Sequence, residues 1–177
     1  RAGAARHLRY VERHRTVTDG PDDIEGVDAP EVLTFPPVIF AIFFVIGYVT
    51  DLAFPVELGF ADIRIAGGSL LIAASIALVA WAVSRFIRAN THVDVRKPAT
   101  TIVTDGPYRL SRNPMYVAAS LLYGGITIIL AMPWTLVLLI PCLITLYHGV
   151  IAREETYLES KFGESYRDYK SRVRRWI

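Results

Sequence analysis

Four long apolar runs, at about 37–54, 65–87, 115–130 and 134–152, take up much of a 177-residue chain and decide what it can fold into. A helix needs roughly 17 to 25 apolar residues to cross a bilayer, and the third run meets that length only marginally. In hydrocarbon every backbone polar group must be satisfied within its own segment, so helices are the expected form. A soluble bundle would need enough amphipathic helices to cover all four runs, and so short a chain leaves too few. The expected fold is an all-α membrane protein with about four transmembrane helices, a polar loop between the second and third, and an amphipathic helix at the C-terminus.

Charge orients these helices. Of the 19 Lys and Arg, five precede the first run, six lie from the end of the second run to the start of the third, and seven follow the fourth; Arg64 is the exception. The positive-inside rule therefore places both termini and the central loop in the cytoplasm, with the Met132-Pro-Trp134 link turning on the far side. A polar cytoplasmic segment over 1–35, with a short surface helix over 6–16, is expected to precede a transmembrane domain over 36–177. Membrane lipids are the expected partners, and nucleic acid is not.

Small residues mark where helices can approach closely: Gly67, Gly68, Ala73, Ala74 and Ala77 in the second run, and Ala118, Ala119, Gly124 and Gly125 in the third. Pro141 should kink the fourth, because it removes one helical hydrogen bond and crowds the preceding turn. The single cysteine, Cys142, lies in an apolar run and excludes a disulfide framework within the chain. His7, His14, His92 and His148 are too dispersed to suggest a metal centre.

Two polar stretches next to the apolar runs carry the chemistry. In Asp105-Gly-Pro-Tyr-Arg-Leu-Ser-Arg-Asn-Pro-Met-Tyr116, Gly106 and Pro107 form a turn, and Pro114 is suited to start a helix directly after Asn113. Unpaired amides at that helix start suit a carboxylate or phosphate, Arg109 and Arg112 add charge, and Tyr108 and Tyr116 add flat faces. The same loop could instead serve only to anchor helix ends. Beyond the fourth run, Glu154, Leu158, Lys161 and Phe162 keep helical spacing, so the helix is expected to continue out of the membrane. Glu154 falls on one stripe with Val150 and Tyr147 and could receive a cationic group, whereas Glu155 could equally pair with Lys161 or Arg153. Tyr166, Tyr169 and the run from Arg172 to Trp176 look like an interfacial foot.

Taken together, Thr100-Thr-Ile-Val-Thr104, Gly106 to Tyr116, Glu154-Glu-x-x-Leu158 and Phe162-Gly-x-x-Tyr166-x-x-Tyr169 resemble the isoprenylcysteine carboxyl methyltransferase and phospholipid methyltransferase superfamily. The resemblance implies an enzyme that holds S-adenosylmethionine at the cytoplasmic membrane face and methylates a lipophilic small molecule or lipid. It places the cofactor within 98–116 and 150–170, on Thr100, Thr101, Ile102, Val103, Tyr108, Asn113, Pro114, Met115, Tyr116 and Glu154. It requires no metal. Many relatives have His in place of Asn113, and the isoprenylcysteine enzymes have a substrate-binding arginine where this chain has Val150. An acceptor other than prenylcysteine, reacting through an amine, thiol or other neutral nucleophile, fits that change. Tyr147 and His148 are the candidates to contact the acceptor or remove its proton; helix packing with satisfied hydrogen bonds would account for them equally well.

Two other readings share these features. Membrane sterol and steroid reductases bind NADPH and carry a similar Arg-x-Pro-x-Tyr arrangement, but where they have His-Pro-Asn-Tyr followed by Gly-Glu this chain has Met115 and Ala118-Ala119. A non-catalytic protein binding anionic lipid would account for the basic loop and foot, but not for Glu154 or the ordered Pro-Tyr and Pro-Met-Tyr turns.

Overall fold

The computed structural model describes residues 34–89 and 100–177. The surface helix expected over 6–16, nearly all of the N-terminal segment, and Arg96 and Lys97 of the loop lie outside these residues. Among the described residues there are helices and no strands.

Helix α1 runs Pro36–Ala53 and α2 runs Ala61–Arg88. A short 3-10 turn, Gly106–Arg109, precedes α3 at Pro114–Ile129. The last long helix is assembled from α4 (Pro133–Val137), α5 (Leu139–Leu146), a π-helical turn (Tyr147–Ile151) and α6 (Ala152–Phe162), after which α7 spans Glu164–Arg172. Prolines open α1, α3 and α4, where a missing N–H costs nothing because no carbonyl awaits it. Near Pro141, which cannot donate to Val137, the α-helical run is interrupted at Leu138, between α4 and α5.

Among the described residues, three helices are long and apolar enough to cross a membrane: Pro36–Ala53, Ala61–Arg88 and Pro133–Phe162. Helix α3 has 16 residues, about 24 Å of helix, and is shorter than the roughly 30 Å hydrocarbon core. The outer faces of α1 and α2 are apolar and exposed, with Leu70 at 71% and Ile76 at 63%. Apolar surface on that scale is suited to lipid rather than water.

Two interfaces set the helix arrangement. Helix α2 packs along α3 more extensively than any other pair. Their backbones touch at Gly68 and Gly125: a Cβ on Gly68 would lie 2.7 Å from the Gly125 carbonyl oxygen, and one on Gly125 would lie 2.8 Å from the Gly68 oxygen. Ser75 Oγ donates to the Ala118 carbonyl at 2.7 Å across the same interface. Of the predicted small residues, Gly67 is not at this contact: a Cβ there would meet nothing within 4 Å.

Helix α1 packs on α4 and α5 instead. Its Asp51 carboxylate accepts the Trp134 and Thr135 amides at 3.1 and 3.0 Å and the Thr135 hydroxyl at 2.6 Å, capping the start of α4 from a different helix. The lone arginine at this end is also committed to a helix terminus. Arg64 donates to the Ile128 and Ile129 carbonyls at 3.4 and 3.1 Å, placing its charge at the C-terminal end of α3.

Candidate functional site

The other end of the bundle gathers the two polar stretches into one structure. Gly106 adopts φ +59, and a Cβ there would meet Arg85 Nε at 2.7 Å, so glycine lets the loop sit directly on α2. Arg85 also holds the turn by an ion pair to Asp105 at 2.9 Å. Tyr169, on α7, donates its hydroxyl to the Tyr108 carbonyl at 2.7 Å, and Tyr108 packs edge-on against Phe86 at 5.4 Å. Val103, Tyr108, Tyr166, Tyr169 and Ala82 form a buried cluster beneath the loop. Burial, reinforced by the Glu154 charge, keeps the Tyr108 phenol well above its ordinary pKa.

The C-terminal tail closes over this loop. Arg112 donates its backbone N–H to the Arg174 carbonyl at 2.9 Å, while Ser111 Oγ and Asn113 Nδ2 donate to the Arg175 carbonyl at 3.2 and 3.1 Å. Arg175 returns a bidentate pair to Glu155 at 2.8 and 2.9 Å and stacks over the Tyr147 ring at 4.8 Å. The hydrogen bond to Glu155 raises the Arg175 pKa, so this guanidinium stays charged. Glu155, left by sequence to Lys161 or Arg153, is thus paired with an arginine twenty residues downstream, and with Arg112 at 3.4 Å. What looked like an interfacial foot ties α6 to the loop. No sequence signal marked this pairing, because the burial that makes Glu155 need a partner arises only in the fold.

A cavity of about 740 Å³ lies between α1 on one side and α2 and α3 on the other, within the usual range for small-molecule sites. Its walls are apolar, with Pro37, Phe40 and Phe44 from α1, Val79 and Phe86 from α2, and Ala119, Leu122 and Ile126 from α3. Along α3 it reaches from Pro114 to Ile126, roughly 18 Å of helix. Its polar end holds Tyr108, Arg112, Asn113, Tyr116 and Glu154, and there Tyr116 donates its hydroxyl to Glu154 Oε2 at 3.2 Å. The contribution of α1 had no sequence signal beyond its hydrophobicity.

The predicted site residues divide in two. Tyr108, Asn113, Pro114, Met115, Tyr116 and Glu154 line the cavity. Thr100, Thr101, Ile102 and Val103 do not: the two threonines are exposed and Val103 faces the cluster beneath the loop. Tyr147 and His148 also stand outside it, ring against ring at 4.7 Å, with His148 exposed. The π turn accounts for this. Its wider spacing interrupts the α-helical stripe that would have aligned Tyr147 and Val150 with Glu154, and Val150 is buried against Ile39, Cys142, Leu146 and Ile151.

Among the described residues no group of His, Cys, Asp and Glu could hold a metal ion. Glu154, half-buried at the polar end of the cavity, presents a carboxylate there, and Tyr108 and Tyr116 present aromatic rings beside it.

Comparison with known proteins adds two findings. The phospholipid methyltransferase family profile matches residues 63–165, which include nearly all of α2, the loop, α3, the Pro133–Phe162 helix and both glutamates. A segment of 27 residues is 78% identical to an uncharacterized protein of Haemophilus influenzae, covering 15% of this chain and 43% of that protein. The chain thus spans less than half the length of that curated relative.

Proposed function

The chain belongs to the phospholipid methyltransferase family, and from that premise we propose that it transfers a methyl group from S-adenosylmethionine to a lipophilic acceptor. In this reading the protein crosses the membrane four times, with α3 as the short fourth span, and the cavity's polar end faces the cytoplasm as the charge distribution suggests. The transmembrane enzyme domain would cover 36–177, preceded by the polar segment. Family membership does not favour the reductase or the non-catalytic lipid-binding alternatives.

One observation carries the proposal. A single cavity joins the Tyr116–Glu154 pair at its polar end to an apolar wall continuing along the membrane-embedded helices. Glu154 would receive the ammonium of the donor, with Tyr116 fixing the carboxylate's position through its hydroxyl. Tyr108 and Met115 would flank the adenine, and the backbone about Asn113 and Pro114 would face the donor at the start of α3. When bound, S-adenosylmethionine supplies an electrophilic methyl group. The chain's own work is to hold both reactants in line in a water-poor cavity, which can lower a two-substrate barrier without a strong acid or base. The apolar walls would hold the acceptor's hydrocarbon. Thr100 to Val103, outside the cavity wall, would act by supporting the loop.

Methyl-labelled S-adenosylmethionine, mixed with the protein in nanodiscs and a total lipid extract, should deliver label to the organic phase. Folded protein that transfers none contradicts the proposal. His148→Ala is expected to keep the rate within about twofold, since the ring is exposed and off the cavity. A loss beyond a hundredfold would place His148 in proton removal from the acceptor.

A further inference from the structure

The apolar part of the cavity has a floor as well as walls. The lining residues furthest from its polar end are Phe44 of α1, Ser75 of α2, and Tyr123 and Ile126 of α3. Among them Tyr123 is the one held by a chain of hydrogen bonds. It is only 4% exposed, and its hydroxyl donates to the Thr135 carbonyl at 2.9 Å. Thr135 is fixed in turn, its amide and hydroxyl donating to Asp51 at 3.0 and 2.6 Å. Swinging the ring aside would strand that hydroxyl among apolar groups, so the ring resists displacement. Phe44 meets it edge-on at 5.4 Å, and Phe40 lies against it at 6.3 Å. Just past this level the helices close together, with Gly47 of α1 against the Thr135 backbone and Gly68 of α2 against Gly125 of α3.

The floor lies close to the polar end. Tyr123 follows Tyr116, the partner of Glu154, by two helical turns or about 10 Å of rise, and Ile126 adds about 5 Å. One leaflet of a bilayer contains about 15 Å of hydrocarbon. A chain whose reacting end lies beside Tyr116 therefore meets the Tyr123 ring before it reaches the length of a leaflet-spanning acyl chain.

We infer that Tyr123 is a depth stop, a specificity-determining residue that limits the ligand of the apolar cavity to a hydrocarbon shorter than one leaflet. That this ligand is the methyl acceptor rests on the methyl-transfer reading. The acceptor class is then a lipophile of short or medium chain with its nucleophile at one end, rather than a membrane phospholipid with leaflet-long chains. The hydroxyl of Tyr123 serves the stop by tethering the ring to α4, a task that phenylalanine could do only by packing.

The test places the full chain in phosphatidylcholine nanodiscs and titrates linear primary amines, from hexylamine to octadecylamine, as mole fraction in the lipid. Binding is read from the shift in thermal unfolding, and methyl transfer from label gained from S-adenosylmethionine. Lipid tails are as apolar as the cavity wall, so amines below the limit should bind alike. Past the limit, and before octadecylamine, wild type should lose at least about tenfold in affinity, because an overlong chain must fold back or displace the ring. Tyr123→Ala should bind the longer amines as it binds the short ones, and Tyr123→Phe, which keeps the ring, should keep the limit. A wild-type profile independent of chain length, including no shift with any amine, overturns the inference. So does a limit in Tyr123→Ala equal to that of wild type. If alanine prevents folding, the wild-type profile decides alone. Failure of the methyl-transfer reading looks different, since no amine would then gain label while the length limit in unfolding still decides the role of Tyr123.

Discussion

Each end of the bundle contains arginine and carboxylate, and the two ends use them differently. At the end holding Arg64 and Asp51, each of those charges is committed to a helix terminus: Arg64 to the last carbonyls of α3, Asp51 to the first amides of α4. At the other end Glu155 and Arg175 are likewise committed, but Glu154 and Arg112 face a cavity with bonding capacity in reserve. Charge beside a membrane is costly, so a structural charge is expected to be fully satisfied. A charge left partly unsatisfied in a cavity is more plainly available to a ligand.

Substitutions can break or sharpen that contrast. The largest effect is expected from Glu155→Ala, which leaves Arg112 and Arg175 without their shared carboxylate and should cost about 3–5 kcal/mol. Unfolding in detergent should show a correspondingly lowered midpoint. A small shift there would mean that the polar end has no structural charges of its own. Asp51→Ala should follow at about 2–3 kcal/mol, because three donors at the start of α4 lose their acceptor. Its folded fraction should bind ligand as wild type does, and a binding defect would undo the separation of the ends. Arg64→Ala should be mildest, about 1 kcal/mol, since its carbonyl partners can be met in part by interfacial water.

The sequence exposed the helices better than the contacts between them. Apolar length and helix-starting prolines put the boundaries of α1 and α3 within a residue, and Pro141 marked the break at Leu138. These are local properties, decided by solvation and by one ring's geometry. The π turn left no such trace, because Tyr147 to Ile151 contains no proline and the residues bounding it, Leu146 and Ala152, have ordinary helical angles. Tail closure was hidden for a related reason. Arg175 meets Glu155 only once α7 has turned the chain back, and charge composition does not specify that partner. For the candidate site, the Asn113-Pro-Met-Tyr116 stretch and Glu154 were legible and line one cavity, while the part played by Phe40 and Phe44 depended on where α1 packed.

The central claim is that Glu154, positioned by Tyr116, receives the methyl donor in the cavity between α1, α2 and α3. Calorimetric titration of wild type and Glu154→Ala with S-adenosylhomocysteine tests it most directly. The account predicts saturable binding by wild type and loss of at least about a hundredfold in the variant, with little change in unfolding temperature because Glu154 makes no ion pair among the described residues. No binding by folded wild type, or equal binding by the variant, would contradict it.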